Sequence, residues 1–145
     1  MTIPLERLPL LCALCRLAVQ YGGWRRVIEG ERERHSHPPD LSFLDLSEPG
    51  LRQMGFDPYD RDVLRALRNF AATNLREACL AHAHIPNADF RGAWLDRADG
   101  REAVFSGSSF VQASLVRADM RGAQLVDVLW GGADKADMKK DAKKV

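Results

Sequence analysis

The sequence predicts a short solenoid over residues 71–130, a mainly β coil of about three turns, preceded by an α-helical segment that caps it. Three observations predict this. Written in fives from residue 71, the chain reads AATNL, REACL, AHAHI, PNADF, RGAWL, DRADG, REAVF, SGSSF, VQASL, VRADM, RGAQL, VDVLW, and the fifth position is large and apolar in eleven of twelve units, Gly100 being the exception. The third position is small almost throughout, from Thr73 and Ala78 to Ala118 and Ala123, until Val128 breaks the column. Finally, neither regular element accounts for the period. Five residues turn a helix by about 500°, scattering such positions around its surface, and a strand of period two cannot hold an odd repeat in phase. A chain that turns a corner after each short extended segment keeps one small and one large side chain inward on every side and leaves three residues to water.

Matches such as Ala88-Asp89-Phe90, Ala118-Asp119-Met120 and Ala78-Cys79-Leu80 resemble the pentapeptide-repeat family, whose motif is approximately A-(D/N)-L-x-x. The resemblance covers residues 71–130 and implies a right-handed quadrilateral β-helix with four pentapeptides per coil. Residues twenty apart then stack, which places Phe70, Phe90, Phe110 and Trp130 in one inner column, read as core and not as a ligand box. Gly100 leaves one inward corner unfilled, and Val128 marks the end of the regular coil. In the family's geometry the positions of Asn74, Asp89, Asp99 and Asp119 serve the turns, where a short polar side chain bonds neighbouring backbone. Both ends of such a stub expose backbone and apolar edges and need caps.

The N-terminal region, residues 1–70, supplies the elements for one cap. Residues 5–21 carry Leu8, Leu11, Cys12, Cys15 and Val19 at helical spacing, with Gly22-Gly23 as a stop. WRRVIEGERER, residues 24–34, reads as a charged helix or arm, and HSHPPD, residues 35–40, as an extended linker. A short element follows with Ser47 as N-cap, Leu51 and Met54 on one face and Gly55 at its end. Asp57 and Pro58 open a helix over residues 58–70 whose stripe of Val63, Leu64, Leu67 and Phe70 caps the first coil. Leu46, Ser47, Leu51, Met54, Gly55, Phe56 and Asp60 also resemble the signature of the YjiS-like family of small arginine-rich bacterial proteins, with Gln53 in place of its usual Asp. That likeness implies a link to RNA turnover through Arg25, Arg26, Arg32 and Arg34, although their alternation with Glu29, Glu31 and Glu33 reads first as a solvated helix with internal ion pairs. After Trp130, Ala136-Asp137-Met138 falls out of phase with Ala133, and residues 131–145 read as a polar, lysine-rich tail.

Composition narrows the function classes. Lys and Arg number 21 against 20 Asp and Glu, a net charge of +1 that gives no bulk attraction to nucleic acid or anionic membrane. Three cysteines without a secretory signal point to a reducing, bacterial cytoplasm, and the apolar run LPLLCALCRLAV is broken by Arg16 and too short for the roughly 20 residues of a transmembrane helix. Cys12 and Cys15 with His35 and His37 are the ligand types zinc takes. Their spacing is loose, and both cysteines fit an apolar helix face where Cys acts as a small hydrophobe, so no metal is assigned. His82 and His84 form a second H-x-H without a third ligand and read as surface residues. No nucleophile–base pair, phosphate loop or paired catalytic carboxylates stand out, and the expectation is a non-enzymatic protein with no cofactor.

Two function classes remain. The characterised quinolone-resistance branch of the pentapeptide family mimics DNA with a long acidic rod, but residues 71–130 hold seven acidic residues, Glu77, Asp89, Asp96, Asp99, Glu102, Asp119 and Asp127, against six arginines, a net of −1. Mimicry of DNA toward a topoisomerase is therefore disfavoured. Flat mixed-charge faces suit a protein-interaction module, an adaptor or scaffold docking to a larger protein partner; a nucleic-acid-linked regulator using the arginine-rich arm is the alternative. The candidate contact residues are Trp94 with Arg91 and Arg97, the helix residues Leu8, Leu11, Cys12 and Cys15, and Arg25 and Arg26.

Overall fold

The coil is built from its corners. A computed structural model of the chain describes residues 3–141. In most five-residue units the amide of the third residue donates to the carbonyl of the fifth residue of the unit before, as in Ala78 N to Leu75 O at 3.0 Å and Ala93 N to Phe90 O at 3.0 Å. The second residue lies at positive φ, from Ala72 (56°) and Glu77 (59°) to Asp137 (55°). A negative then a positive φ across an i to i+3 bond is the pattern of a type II turn. Left-handed backbone costs a non-glycine residue roughly 1–2 kcal/mol, which Gly92 and Gly122 avoid in the two RGA units.

Between corners the fourth residue pairs with its counterpart one coil away. Eleven parallel bridges join residues twenty apart, from Asn69 with Asp89 to Asp119 with Lys139, so each coil has four sides of five residues. The expected mainly β chain is corrected in one respect: among the described residues the β structure consists of single-residue bridges, with no continuous strand. A side of five residues gives two to the turn, and only one is left with ladder geometry.

Inward residues form one core. The aromatic column contains five rings, because Trp24 stacks on Phe70 at 5.5 Å and extends the run Phe70–Phe90 (4.8 Å), Phe90–Phe110 (4.7 Å) and Phe110–Trp130 (5.2 Å). Phe105 meets both Phe90 and Phe110 edge-on. The corner that Gly100 leaves empty is filled from above: a Cβ there would collide with the Met120 sulfur and press on Phe105. Ser108, fully buried in the small column, repairs an open turn. Its hydroxyl accepts from Ala88 N at 3.0 Å and donates to Ile85 O at 3.3 Å, taking the place of a direct bond between them. Alanine is the commonest residue in this column, yet Ser108→Ala should destabilise by about 1–3 kcal/mol, because two buried backbone groups lose their partner. Chemical denaturation of both proteins checks this; an unchanged midpoint contradicts it.

Four helices precede the coil: α1 (Leu8–Tyr21), α2 (Arg25–His35), α3 (Glu48–Gln53) and α4 (Arg61–Leu67). Gly22, left-handed at 75°, ends α1, and Ser47 caps α3 by accepting from Gly50 N. Gly50 must be glycine, since a Cβ would collide with the Asp45 carbonyl as α3 crosses it. The cap of α4 is Asp60, which accepts from Asp62 N and Val63 N, and not Asp57, which accepts from Tyr59 N in a separate turn. Two aspartates three apart both nucleate turns, and Pro58 falls in the first of them. Helix α1 packs on α2 and α4, and its residues Leu11, Cys15 and Ala18 join the core cluster of the coil.

The coil exceeds the expected 71–130 at both ends. Asp40 and Asp45 bridge Cys79 and His84, with Leu41 N donating to Cys79 O and Leu46 N to His84 O. Residues 40–46 are thus half a coil laid beneath the first full one, and α3 and α4 form an excursion before the chain re-enters at Asn69. The expected linker 35–40 is correspondingly shorter, since His35 belongs to α2 and Asp40 to the half coil. At the other end, bridges at Leu129, Asp134 and Lys139 carry the coil through residues expected to be tail. Backbone pairing does not need apolar side chains: exposed Lys135 and Lys140 stand at the fifth position of their units, where earlier coils bury a large apolar residue, and the Lys135 ammonium lies 4.7 Å from the Trp130 ring centre. The remainder of the expected tail, residues 142–145, lies outside the described residues.

Candidate interaction surface

Trp94 is the fourth residue of its unit, bridged to Asn74 below and Ser114 above. Its neighbours Ala93 and Leu95 are fully buried, so the indole points outward and is 47% exposed. One face of the ring is covered by the Arg76 guanidinium, 4.3 Å from the ring centre. Arg76 is itself placed by Asp96, 3.5 Å from its Nε, and its carbonyl accepts from Arg32 of α2. Asp96 in turn accepts from Val116 N at 3.1 Å and from the Ser114 hydroxyl. Contacts drawn from three coils thus surround the half-exposed indole.

The arginines around it are differently committed. Arg91 makes a two-pronged bond to Asp89, at 2.9 and 2.8 Å, and the same arrangement recurs in Arg101–Asp99 and Arg121–Asp119. Each Arg holds its Asp carboxyl below the ordinary range, chiefly through the side-chain hydrogen bond. The same carboxylates accept from the backbone amide two residues on. Arg97 stands at the left-handed corner position after Trp94.

The remaining candidate residues are not brought to this surface. Leu11 and Cys15 are fully buried, which corrects the reading of the first helix as a docking stripe: its apolar face is used inside the monomer. Leu8 and Cys12 are half-buried against the same core. The Cys15 thiol contacts the Met54 sulfur at 3.6 Å, and burial pushes it up, with Cys12 adding to the shift. Arg25 pairs with Glu29 at 3.3 Å, and the Arg26 guanidinium lies 5.7 Å from the Tyr21 ring centre. His35 stacks on His37 and His82 on Phe43. Among the described residues no group of three or more His, Cys, Asp or Glu side chains is placed to hold a metal ion, and no helix is long and apolar enough to cross a membrane. Arg76 was not foreseen, because it meets Trp94 only through the stacking of coils.

Residues 87–122 match the family model for pentapeptide repeats in 8 copies, and this part of the chain is pentapeptide-repeat sequence. Solved structures of that class resemble the chain. One is a pentapeptide-repeat protein from the cyanobacterium Cyanothece 51142, at 21% identity over 53% of this chain and 56% of that one, with a TM-score of 0.34. Another is HetL from Nostoc sp. strain PCC 7120, involved in heterocyst differentiation regulation, at 25% identity over 46% of this chain and 35% of HetL, with a TM-score of 0.33. A third is QnrB1, a plasmid-mediated fluoroquinolone resistance protein, at 17% identity over 51% of this chain and 58% of QnrB1, with a TM-score of 0.30. The chain thus spans less than two thirds of each, and superpositions this loose carry no functional argument. No curated protein matches the chain. The YjiS-like resemblance at residues 44–60 is not shown by these comparisons.

Proposed function

We propose that the protein is a non-enzymatic interaction module, an adaptor or scaffold subunit of the bacterial cytoplasm, with the right-handed coil the resemblance implies, that docks a larger protein through the Trp94 side. The observation that supports this is Trp94 itself. Its column accepts Asn74, Ser114 and Asp134, so the fold has no need of an indole there, and Arg76 holds the ring half-exposed in one orientation. An aromatic anchor beside arginine is the composition of an interface hot spot. A nucleic-acid-linked role is less well supported, because Arg25 and Arg34 pair with Glu29 and Glu31 and Arg32 donates to the Arg76 carbonyl. The same holds for DNA mimicry, since Asp89, Asp99 and Asp119 are neutralised by arginine.

The test is capture of partners by the tagged full chain from native lysate, with and without nuclease. Trp94→Ala should weaken retention of a nuclease-resistant protein by about 2 kcal/mol, the scale of a hot-spot residue, while Arg117→Ala has little effect. If only nuclease-sensitive, salt-labile nucleic acid is retained, the regulator reading takes over.

A further inference from the structure

The buried stripe of α1, formed by Leu11, Cys15 and Ala18, is not its only apolar one. Leu10, Ala13, Leu14, Leu17 and Tyr21 recur at i, i+3, i+4, i+7 and i+11, and at about 100° per residue they fall within an arc of roughly 100°. Arg16, the one charged residue between Leu8 and Tyr21, stands about 60° outside that arc. Leu10 and Tyr21 are each 46% exposed, Ala13 is exposed and Leu17 is half-buried. A helix apolar on both sides is ordinarily covered on both. Here the second side is open to water.

This second stripe follows the seam between α1 and α2. At its start Leu10, Leu14 and Pro39 form the apolar wall of a cleft of about 270 Å³, which Glu31, Asp40 and the stacked His35 and His37 complete. No arginine or lysine lines the cleft: Arg34 and Arg7, which pair with its two carboxylates, stand outside it. At the far end of the stripe the Arg26 guanidinium lies 5.7 Å from the Tyr21 ring centre. The seam is thus apolar along about 16 Å, anionic at one end and cationic at the other.

The geometry points to this seam as the docking site for an amphipathic helix of a protein partner, about twelve residues long, with a basic side chain entering the cleft beside Glu31 and Asp40. A third helix laid along the seam of two packed helices sets its own i, i+3, i+4, i+7 stripe against the one on α1. The carboxylates that line the cleft select lysine or arginine over glutamate at the Leu10 end. A bilayer is a poorer occupant, because those carboxylates would face lipid and α1 lacks the lysine- and arginine-rich polar face of an interfacial helix. The inference goes beyond the Trp94 reading and stands without it; a module carrying both surfaces joins two proteins.

The probe is a fluorescently labelled helical peptide of about fourteen residues, with leucines at i, i+3, i+4, i+7 and i+11, glutamates in its first turn and lysines in its last, titrated with the full chain by fluorescence anisotropy. It should bind saturably, one to one. Exchanging the peptide's lysines for glutamates should weaken binding at least about tenfold, and so should the double variant Leu10→Gln, Ala13→Lys. Both positions are exposed and both replacements suit a helix, which an unchanged melting temperature verifies. Trp94→Ala should bind the peptide like wild type whatever its effect on partner capture, so the two readings fail separately. The absence of saturable binding, equal binding of the two peptides, or a double variant that binds like wild type overturns the inference. Sedimentation of the full chain and flotation with phosphatidylcholine–phosphatidylglycerol vesicles test the other occupants. A wild type that dimerises or binds vesicles, where the double variant does neither, also overturns it and gives the seam to a second copy or to a bilayer.

Discussion

Replacing Trp24 by alanine should destabilise the protein by about 3–5 kcal/mol, the range for truncating a buried large aromatic. The residue is fully buried and stands where the first coil has no coil beneath it. Its ring continues the aromatic column, its Nε1 donates to Leu67 O at 2.6 Å, and its amide donates to Asn69 O at 3.2 Å. Truncation removes the ring contact, leaves the Leu67 carbonyl unpartnered in the core and opens Phe70 to water. The half coil 40–46 covers two sides of the first coil and cannot substitute, because its bridges fall on Cys79 and His84. Trp24→Phe, which keeps the stack and loses the side-chain hydrogen bond, should cost distinctly less. Urea denaturation of the three proteins orders them; equal midpoints for Trp24→Ala and wild type would show that the cap rests elsewhere.

Trp24 also marks where the sequence ceased to be informative. The five-residue frame of the coil was legible because the same two inward columns recur at every side, and the outward direction of Trp94 followed from Ala93 and Leu95 in that frame. The half coil is not legible in the sequence, although Asp40-Leu41 and Asp45-Leu46 stand five apart, because the helical excursion from Ser47 to Arg68 separates them from the repeats and Leu44 fills the usually small position. The coil runs past the C-terminal limit its periodicity marks for a different reason. Periodicity reports side chains that need burial, while the backbone ladder continues beneath Lys135 and Lys140 without them. Likewise, the stripe on α1 showed that Leu11 and Cys15 had to be covered, but an amphipathic pattern cannot say whether the cover is the same chain or another. The partner of Trp94 was hidden because Arg76 lies eighteen residues earlier, a separation that becomes contact only when four sides close a coil.

The other large effect is expected at the middle of the column. Phe90 is fully buried and touches three aromatic rings, Phe70 and Phe110 stacked at 4.8 and 4.7 Å and Phe105 edge-on at 5.6 Å. Each such pair contributes about 0.5–1.5 kcal/mol beyond area burial, and neighbouring coils cannot collapse into the gap because bridges on all four sides set their spacing. Phe90→Ala should therefore cost about 3–5 kcal/mol with little relaxation. Phe90→Leu, which places the commonest residue of the large inward column there, should recover part of the loss by refilling the volume without the stacking. The position also tests cooperativity. Phe90 lies between the capped first coil and the coils above, so a solenoid held together by nearest-neighbour contacts should lose its two-state transition in Phe90→Ala, with the signal of Trp24 melting after that of Trp130. A single coincident transition in the variant, with a loss below about 1 kcal/mol, would mean that the ring column is packing of ordinary strength and that the backbone ladder alone unites the coils.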